Sequence, residues 1–204
     1  MNIMLPKKTA LIIIDVQNAI DHPEWSKYGS RNNLNAEENM SLLLSKWRQS
    51  GRKIIHVKHE SKEPNSTYRS GDIGCEFKAC VSPIEGELII IKHVNSAFIG
   101  TDLEAILRES NISHLVVFGV ITNNSVEATV RMAGNLGFNT HLVEDATFTF
   151  AKPDYTGKIR TADEVHTMSL ANLENEYCKV VCTDQVVKII EDEYNGYLKL
   201  GKHW

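Results

Sequence analysis

The stretch Leu11-Ile-Ile-Ile-Asp-Val-Gln17 places four consecutive aliphatic residues directly before an acidic one. A second run of the same kind, Leu88-Ile-Ile-Ile-Lys92, also ends on a charged residue. Continuous rather than alternating apolar residues are typical of strands that are covered on both faces, as in a parallel sheet. The two runs therefore predict buried parallel strands, each with a charged side chain at its carboxyl end.

Four further β-rich segments accompany these two, and most neighbouring segments are separated by helical patterns. The six predicted strands are Thr9 to Val16, Lys53 to Lys58, Glu87 to Lys92, His114 to Val120, Asn139 to Glu144 and Cys178 to Thr183. Strands that alternate with helices predict an α/β fold with a doubly wound, mostly parallel sheet and helices on both faces. We expect a Rossmann-like sheet with the strand order 3-2-1-4-5-6.

The helix signals have identifiable local causes. Apolar residues at positions i, i+3, i+4 and i+7 of Met40–Trp47 predict an amphipathic helix, which Gly51 is placed to end. Thr101–Glu104 and Thr161–Glu164 both have the spacing of a capping box, in which a Thr hydroxyl and a Glu carboxylate satisfy backbone donors reciprocally. A further helix is predicted over Asn124–Leu136, because a glycine follows it.

Composition and charge limit the function classes. The 204 residues are 42% hydrophobic and fit a single domain over residues 1–204, and the net charge of −4 gives no basic field for nucleic acid. The longest apolar run, Ala10–Ile14, is far shorter than the roughly 20 residues that cross a bilayer. No signal peptide is visible, and four cysteines are too few for a disulfide scaffold. We expect a cytoplasmic protein with free thiols that binds neither nucleic acid nor a membrane.

Ligand sites in such sheets lie beyond the carboxyl ends of the strands. Asp15 ends the first strand, Lys92 ends the third, and Ser125 follows the fourth, so all three are expected at one edge. Taken singly, each has an ordinary structural interpretation as a helix cap or a solvated charge. Two long irregular segments, Glu60–Gly86 and Thr147–Arg160, are predicted to cover this edge.

Three ordered motifs resemble a known family. The segment Gly119-Val-Ile-Thr-Asn-Asn-Ser-Val-Glu-Ala-Thr-Val-Arg-Met-Ala-Gly-Asn-Leu-Gly-Phe138 resembles the signature of the cysteine hydrolases that include isochorismatases and nicotinamidases. Leu11–Gln17 resembles that family's first strand with its catalytic Asp, and Ile91–Phe98 resembles the segment with its catalytic Lys. The similarity runs from about Thr9 to about Thr183, which is most of the chain.

The resemblance implies a catalytic triad of Asp15, Lys92 and the residue at position 125. It also implies a cis peptide before Ile121 and an oxyanion hole made of the backbone N–H groups of Ile121 and Ser125. The expected substrate is a small molecule with an amide, ester or vinyl-ether bond that is hydrolysed without a cofactor. The resemblance further implies a homo-oligomer, either a dimer or a tetramer.

Position 125 departs from the family, because Ser125 stands where the family has cysteine. A thiol attacks as its thiolate, and with a pKa of about 8.5 it ionises far more readily than a hydroxyl. Three explanations remain open. The serine is a natural nucleophile beside a lysine, or it is an engineered inactivation, or the domain has lost catalysis and persists as a binding or scaffold protein.

Position along the chain also suggests residues that bind substrate. The candidates are Gln17, Arg69, Asn95 and Phe98. Arg69 is able to bind a carboxylate bidentately, although an arginine in a loop is more often solvated. Trp25 and Tyr28 are expected to line either the pocket or a subunit contact.

Metal and dinucleotide sites are not predicted. His56 and His59 follow one another on the second strand, but the Asp-x-His motif with which some nicotinamidases bind a metal does not occur in the chain. The first strand is followed by Asp-Val-Gln-Asn rather than by a glycine-rich phosphate loop, which counts against NAD. We therefore expect a reaction with neither metal nor cofactor.

Overall fold

The main sheet is assembled from six parallel strands. The computed structural model describes residue 3 and residues 5–199. The strands in chain order are β1 (Thr9–Ile14), β2 (Ile54–His59), β3 (Leu88–Lys92), β4 (His114–Val120), β5 (Asn139–Phe148), β6 (Lys152–Pro153), β7 (Ile159–Arg160) and β8 (Lys179–Val181). The main sheet has the order β3-β2-β1-β4-β5-β8, with every pair parallel. Because β8 is the sixth of the predicted strands, this order confirms the predicted 3-2-1-4-5-6.

Five helices cover the two faces of the sheet. They are α1 (Ala36–Gln49), α2 (Leu103–Glu109), α3 (Glu127–Asn135), α4 (Ala162–Leu173) and α5 (Thr183–Lys199). The apolar residues of α1 and α5 belong to one core cluster, and those of α2, α3 and α4 belong to the other. Residues of β1 alternate between the two clusters, so the whole strand is buried. That double burial is the physical reason for the continuous run Leu11–Ile14.

The prediction that both faces of the strand are covered is wrong for β3, which is covered on one face only. Ile89 and Ile91 are 45% and 48% exposed, whereas Ile90 and Lys92 are buried. The reason is position, because β3 lies at the edge of the sheet and pairs with β2 alone. A run of branched residues thus indicates a strand here without indicating that both faces are covered.

The two predicted capping boxes have different outcomes. At α4 the Glu164 backbone N–H donates to Thr161 Oγ1 at 3.1 Å, and the Thr161 N–H donates to Glu164 Oε2 at 2.7 Å, which confirms the box. At α2 the box does not form. The hydroxyl of Thr101 donates to the Ala97 carbonyl instead, and the helix begins only at Leu103.

The helix that was predicted to begin at Asn124 starts later. A π-helical turn, Thr122–Val126, occupies its first residues, and α3 follows from Glu127 to Asn135. Gly137 has a φ of +83°, the left-handed conformation expected of a residue that ends a helix. The wider turn therefore holds Ser125 between β4 and α3.

Both predicted loops have some structure of their own. The segment 60–86 contains two short 3₁₀ turns, Ile73–Cys75 and Ala79–Val81, and Phe77 forms a bridge with Gln17 beyond β1. The second segment contains the antiparallel hairpin β6–β7, which the sequence did not predict. Among the residues that the structure describes, no helix is long and apolar enough to span a bilayer.

Candidate active site

Asp15, Lys92 and Ser125 are in contact at the carboxyl edge of the sheet. The Nζ atom of Lys92 donates to Asp15 Oδ2 at 2.7 Å and lies 3.2 Å from Ser125 Oγ. Asp15 is 3% exposed, Lys92 is fully buried and Ser125 is 7% exposed. Three side chains from distant parts of the chain thus form one buried polar cluster.

The position of Asp15 depends on an uncommon backbone conformation. Its φ is +53°, a left-handed value that few residues other than glycine adopt, although Asp does so more readily than most. Its N–H still donates to the Val57 carbonyl of β2 at 3.0 Å, while its own carbonyl accepts from the Gln17 N–H at 2.8 Å. The chain therefore turns sharply after β1 and leaves the carboxylate beside Lys92.

The ammonium of Lys92 has two more acceptors. It lies 3.1 Å from the Val94 carbonyl oxygen and 3.3 Å from His59 Nδ1. Sequence reasoning did not assign His59 to this site, although the rule that selected the other residues applies to it. His59 is the last residue of β2, which lies between β1 and β3 in the sheet.

Burial sets the proton affinities of the cluster. Burial raises the pKa of Asp15 above its usual value, although Lys92 and the Ser125 hydroxyl act in the opposite direction. Burial likewise lowers the pKa of Lys92, with Asp15 opposing. The pKa of His59 falls to about 4 through burial, with repulsion from Lys92 and His93 adding to it. His59 is therefore neutral near pH 7, so its Nδ1 is able to accept from Lys92.

One oxygen of the Asp15 carboxylate is unused. Asp15 Oδ2 accepts from Lys92, whereas Oδ1 is buried and has no hydrogen-bond partner. A buried polar atom without a partner is costly, which is why such atoms in native proteins call for an explanation. Here the free oxygen provides an acceptor for a proton that leaves a neighbouring hydroxyl.

The turn that carries Ser125 is closely fitted to β1. The peptide between Val120 and Ile121 is cis, as the family resemblance implies. Gly119 has a φ of +144°, and a Cβ atom there would lie 2.1 Å from the Ile14 carbonyl oxygen. Only glycine allows β4 to approach β1 so closely at this point, immediately before Asp15. The two strands therefore set the spacing between the carboxylate and the turn.

A cleft of about 590 Å³ adjoins this turn. Trp25, Tyr28 and Phe150 contribute aromatic surface to it, and Ile121 and Asn124 line it from the turn. Both residues of the turn lie next to or near Ser125 in the sequence. Asp15, Lys92 and Ser125 are not among the residues that line this cleft, although Asn124, which does, directly precedes Ser125.

Gln17 and Phe98, which the sequence suggests as substrate-binding residues, both contact other parts of the protein. Gln17 is fully buried, and its amide bonds to the backbone N–H and carbonyl of His59 and to the Cys75 carbonyl. Phe98 stacks on Phe138, which directly precedes β5, at a centroid distance of 5.8 Å.

Arg69 and Asn95 are both exposed. The guanidinium of Arg69 donates to the Pro64 carbonyl within its own loop at 3.4 Å. Neither residue is among those that line the cleft beside Ser125. Neither of them takes part in the hydrogen bonds that join Asp15, Lys92 and Ser125.

No set of three or more His, Cys, Asp and Glu side chains within residue 3 and 5–199 is arranged to hold a metal ion. The two histidines of β2 lie in different environments, because His56 bonds to Glu87 at 2.8 Å and His59 contacts Lys92. All four cysteines are free thiols. Burial raises the pKa of Cys75 above its usual value, so this thiol is mostly protonated at neutral pH.

Comparison with known proteins places the chain in a family. The isochorismatase domain matches residues 9–185. The isochorismatase family protein YrdC of Bacillus subtilis is 42% identical over 183 residues, which are 90% of this chain and 96% of YrdC. The crystal structure of an isochorismatase-family protein from Chromobacterium violaceum has 51% identity and a TM-score of 0.89, and the match covers 94% of this chain and 97% of that one.

A more distant relative has a named reaction. The ureidoacrylate amidohydrolase RutB of Klebsiella pneumoniae is 28% identical over 174 residues, which are 70% of this chain and 74% of RutB. The domain match, the sequence relatives and the shared structure agree with the six-stranded sheet described above. The chain belongs to the isochorismatase-like hydrolase family.

Proposed function

We propose that the protein hydrolyses a small amide or ester, or a vinyl-ether-type bond, with Ser125 as nucleophile, Asp15 as general base and Lys92 as the cation that stabilises negative charge on oxygen. One observation carries this proposal: the Lys92 ammonium is within hydrogen-bond distance of both Asp15 Oδ2 and Ser125 Oγ inside a buried cluster. An amide is the preferred substrate because a relative, RutB, is named an amidohydrolase.

The first step forms an acyl-enzyme. The Ser125 hydroxyl transfers its proton to the Asp15 carboxylate, whose Oδ1 has no other partner, while Oγ attacks the carbonyl carbon. Lys92, which is 3.2 Å from Oγ, lowers the cost of negative charge on that atom. The carbonyl oxygen becomes an anion, and the backbone N–H groups of Ile121 and Ser125 would stabilise it.

The second half of the cycle restores the enzyme. The C–N or C–O bond to the leaving group breaks, and the proton held by Asp15 passes to the departing amine or alkoxide. Water then attacks the Ser125 ester and gives its proton to Asp15, after which the carboxylic acid leaves and Ser125 recovers its proton. Each turnover consumes one water and releases two products, so no external cofactor is required.

A hydroxyl needs more activation than the thiol that the family uses at this position. Two features of the site supply it: the raised pKa of Asp15 makes this carboxylate a stronger base, and burial strengthens the attraction of Lys92 for negative charge on Ser125 Oγ. These features favour the serine nucleophile over a binding protein that has lost catalysis. A raised carboxylate pKa in a water-poor site is the usual means of general-base catalysis near neutral pH.

The test compares the parent protein with Ser125→Ala on a panel of p-nitrophenyl esters and small primary and secondary amides. We expect Ser125→Ala to lower kcat/KM by at least about 10³-fold. Ser113→Ala is the matched control, because Ser113 precedes the same strand β4 at its opposite end and should change the rate by less than about twofold. Equal rates for the parent and Ser125→Ala would refute the proposal.

Ser125→Cys separates serine catalysis from a pocket that has lost it. If the parent is active, the thiol variant should act on the same substrates. If activity occurs only in Ser125→Cys, the pocket is competent but the native chain is a binding protein rather than a serine hydrolase. That result would replace the proposed function by the alternative.

We further propose that the protein acts in a reducing compartment such as the cytoplasm and self-associates. Its four free cysteines support the first proposal. Three exposed apolar side chains support the second, namely Tyr155 and Ile159 of the β6–β7 hairpin and Met168 of α4. Sedimentation at several protein concentrations measures the subunit number.

A further inference from the structure

We propose that His166 is a positioning residue that holds the turn between Ile121 and Ser125 in the geometry that oxyanion stabilisation requires. The proposal rests on the function proposed above. His166 lies on α4 and forms no hydrogen bond with Asp15 or Lys92. Its effect on the reaction would pass through Thr122.

One face of α4 binds the first residue of the π-helical turn at two points. His166 Nδ1 lies 2.7 Å from the Thr122 hydroxyl, and both residues are buried. One helical turn further on, the Ser169 hydroxyl lies 3.3 Å from the Thr122 carbonyl oxygen and 2.5 Å from Glu127 Oε2. The spacing of His166 and Ser169 at i and i+3 puts both on the same side of the helix.

The direction of this bond follows the tautomer of His166, whose other ring nitrogen, Nε2, lies 3.5 Å from Asn33 Nδ2. Burial lowers the pKa of His166, so the imidazole is neutral near pH 7, with one ring nitrogen free to accept. The Thr122 hydroxyl donates to Nδ1 when Nε2 carries the proton, and it accepts from Nδ1–H in the other tautomer, so the two side chains are bonded in either case. The ring is 5% exposed, which leaves little water to compete with this bond. His166 thus fixes the rotamer of Thr122, and with it the first residue of the turn.

The position of Thr122 explains why this bond bears on catalysis. Thr122 directly follows Ile121, whose N–H is one proposed oxyanion donor, and it begins the turn that contains Ser125, the other donor. Preorganised donors stabilise the transition state only if they are already aimed at the position of the oxyanion. Loosening Thr122 should therefore slow the chemical step without weakening the binding of substrate in the cleft.

Kinetics of four variants test the proposal. His166→Leu should lower kcat by about 10- to 100-fold and leave KM within about twofold, because a misaligned oxyanion donor costs rate rather than ground-state affinity. His166→Asn should restore most of the rate, because its amide oxygen is able to accept from Thr122. Thr122→Val removes the same bond from the other side, so the double variant His166→Leu/Thr122→Val should be no slower than the slower single variant.

His141→Leu is the matched control. His141 is also a buried histidine with a pKa lowered by burial, but it lies in the first part of β5, away from the turn. Its loss should leave kcat unchanged even if the melting temperature falls. If His141→Leu lost as much kcat as His166→Leu, general destabilisation would explain the loss in both variants, and the proposal would be overturned.

Amide hydrogen exchange over residues 119–126 gives a readout that needs no substrate. Faster exchange in His166→Leu and Thr122→Val, with parent-like exchange in His141→Leu, supports the positioning role even if the parent proves inactive and the proposed function fails. Unchanged exchange in this segment overturns it. In an active protein, a normal kcat for His166→Leu also overturns it and leaves the proposed hydrolysis intact.

Discussion

A carboxylate accepts hydrogen bonds at each end of β3: Glu87 directly before the strand, and Asp15 beside Lys92, the last residue of the strand. The two carboxylates differ in how many hydrogen bonds they accept. Before the strand, Glu87 accepts from Arg48 at 2.7 and 2.9 Å, from the Ile84 N–H at 3.1 Å and from His56 at 2.8 Å. At the carboxyl end of β3, Asp15 accepts from Lys92 through one oxygen, and its other oxygen has no hydrogen-bond partner.

The proton affinities follow from that difference. Three kinds of donor outweigh burial at Glu87 and lower its pKa to about 2. At Asp15 burial outweighs Lys92 and the Ser125 hydroxyl together, and its pKa is raised. A fully bonded carboxylate has no spare acceptor and contributes to stability, whereas a partly bonded one keeps an acceptor available for a proton. The comparison assigns stability to the amino end of β3 and chemistry to its carboxyl end.

Asp15→Asn should produce the largest effect. The amide keeps the shape of the side chain but is unable to accept the Ser125 proton, so kcat/KM should fall by at least about 10³-fold. Because Lys92 is fully buried and pairs with Asp15, the substitution should also lower the free energy of unfolding, so activity is measured at a temperature where the variant is folded. Kinetics on an ester substrate and denaturant unfolding measure the two quantities. A stable but fully active variant would break the comparison.

Glu87→Gln should show the opposite pattern. The substitution weakens the Arg48 and His56 bonds of a side chain that is only 9% exposed, and we expect a loss of about 2–4 kcal/mol in the free energy of unfolding. At a temperature where the variant is folded, kcat/KM should stay within about twofold of the parent. A large loss of activity in the folded variant would mean that the two ends of β3 are coupled.

Acidification should remove activity before it removes the contribution of Glu87 to stability. The pKa of Asp15 is raised, so kcat/KM should fall about tenfold per pH unit once the pH drops below a value higher than the usual 3.8. The pKa of Glu87 is depressed, so its contribution is complete above its unfolded value of 4.5 and is lost as the pH falls from there to about 2. A pH–rate profile measured beside unfolding curves of the parent and Glu87→Gln tests this order.

Arg48→Lys should have the smallest effect. Arg48 binds both oxygens of Glu87, and a lysine ammonium is unable to reproduce that planar, bidentate geometry. Because the Arg48 side chain is 29% exposed, we expect a cost of only about 1 kcal/mol, with no change in kcat/KM. A loss as large as that of Glu87→Gln would indicate that the bidentate geometry, and not the charge alone, stabilises this end of the strand.

The fold and the three central residues could be predicted because both depend on strands. Apolar runs located all six strands of the main sheet, and the rule of carboxyl ends selected Asp15, Lys92 and Ser125. The same rule applies to His59, which the sequence analysis considers only as a metal ligand. Its contact with Lys92 depends on the adjacency of β2 and β3, which the predicted strand order already contained.

The sequence predicts less well which of several possible hydrogen-bond partners a polar side chain binds. Thr101 and Thr161 have the same capping-box spacing, yet a carbonyl of the preceding turn, that of Ala97, captures the hydroxyl of Thr101. Gln17 lies next to the site in sequence, and in the structure its amide bonds to the backbone of His59 and Cys75. Spacing specifies which bonds are possible, and only the folded arrangement decides which of them form.

Covalent labelling tests the central claim most directly. A fluorophosphonate reacts with an activated serine by forming a P–O bond to Oγ and releasing fluoride, and peptide mass spectrometry locates the adduct. We predict one adduct on Ser125 in the parent, slower labelling in Asp15→Asn and Lys92→Met, and parent-like labelling in Glu87→Gln. Labelling of Ser125 that is equally fast without Asp15 or Lys92, or the absence of an adduct on Ser125 in the parent, would contradict the account.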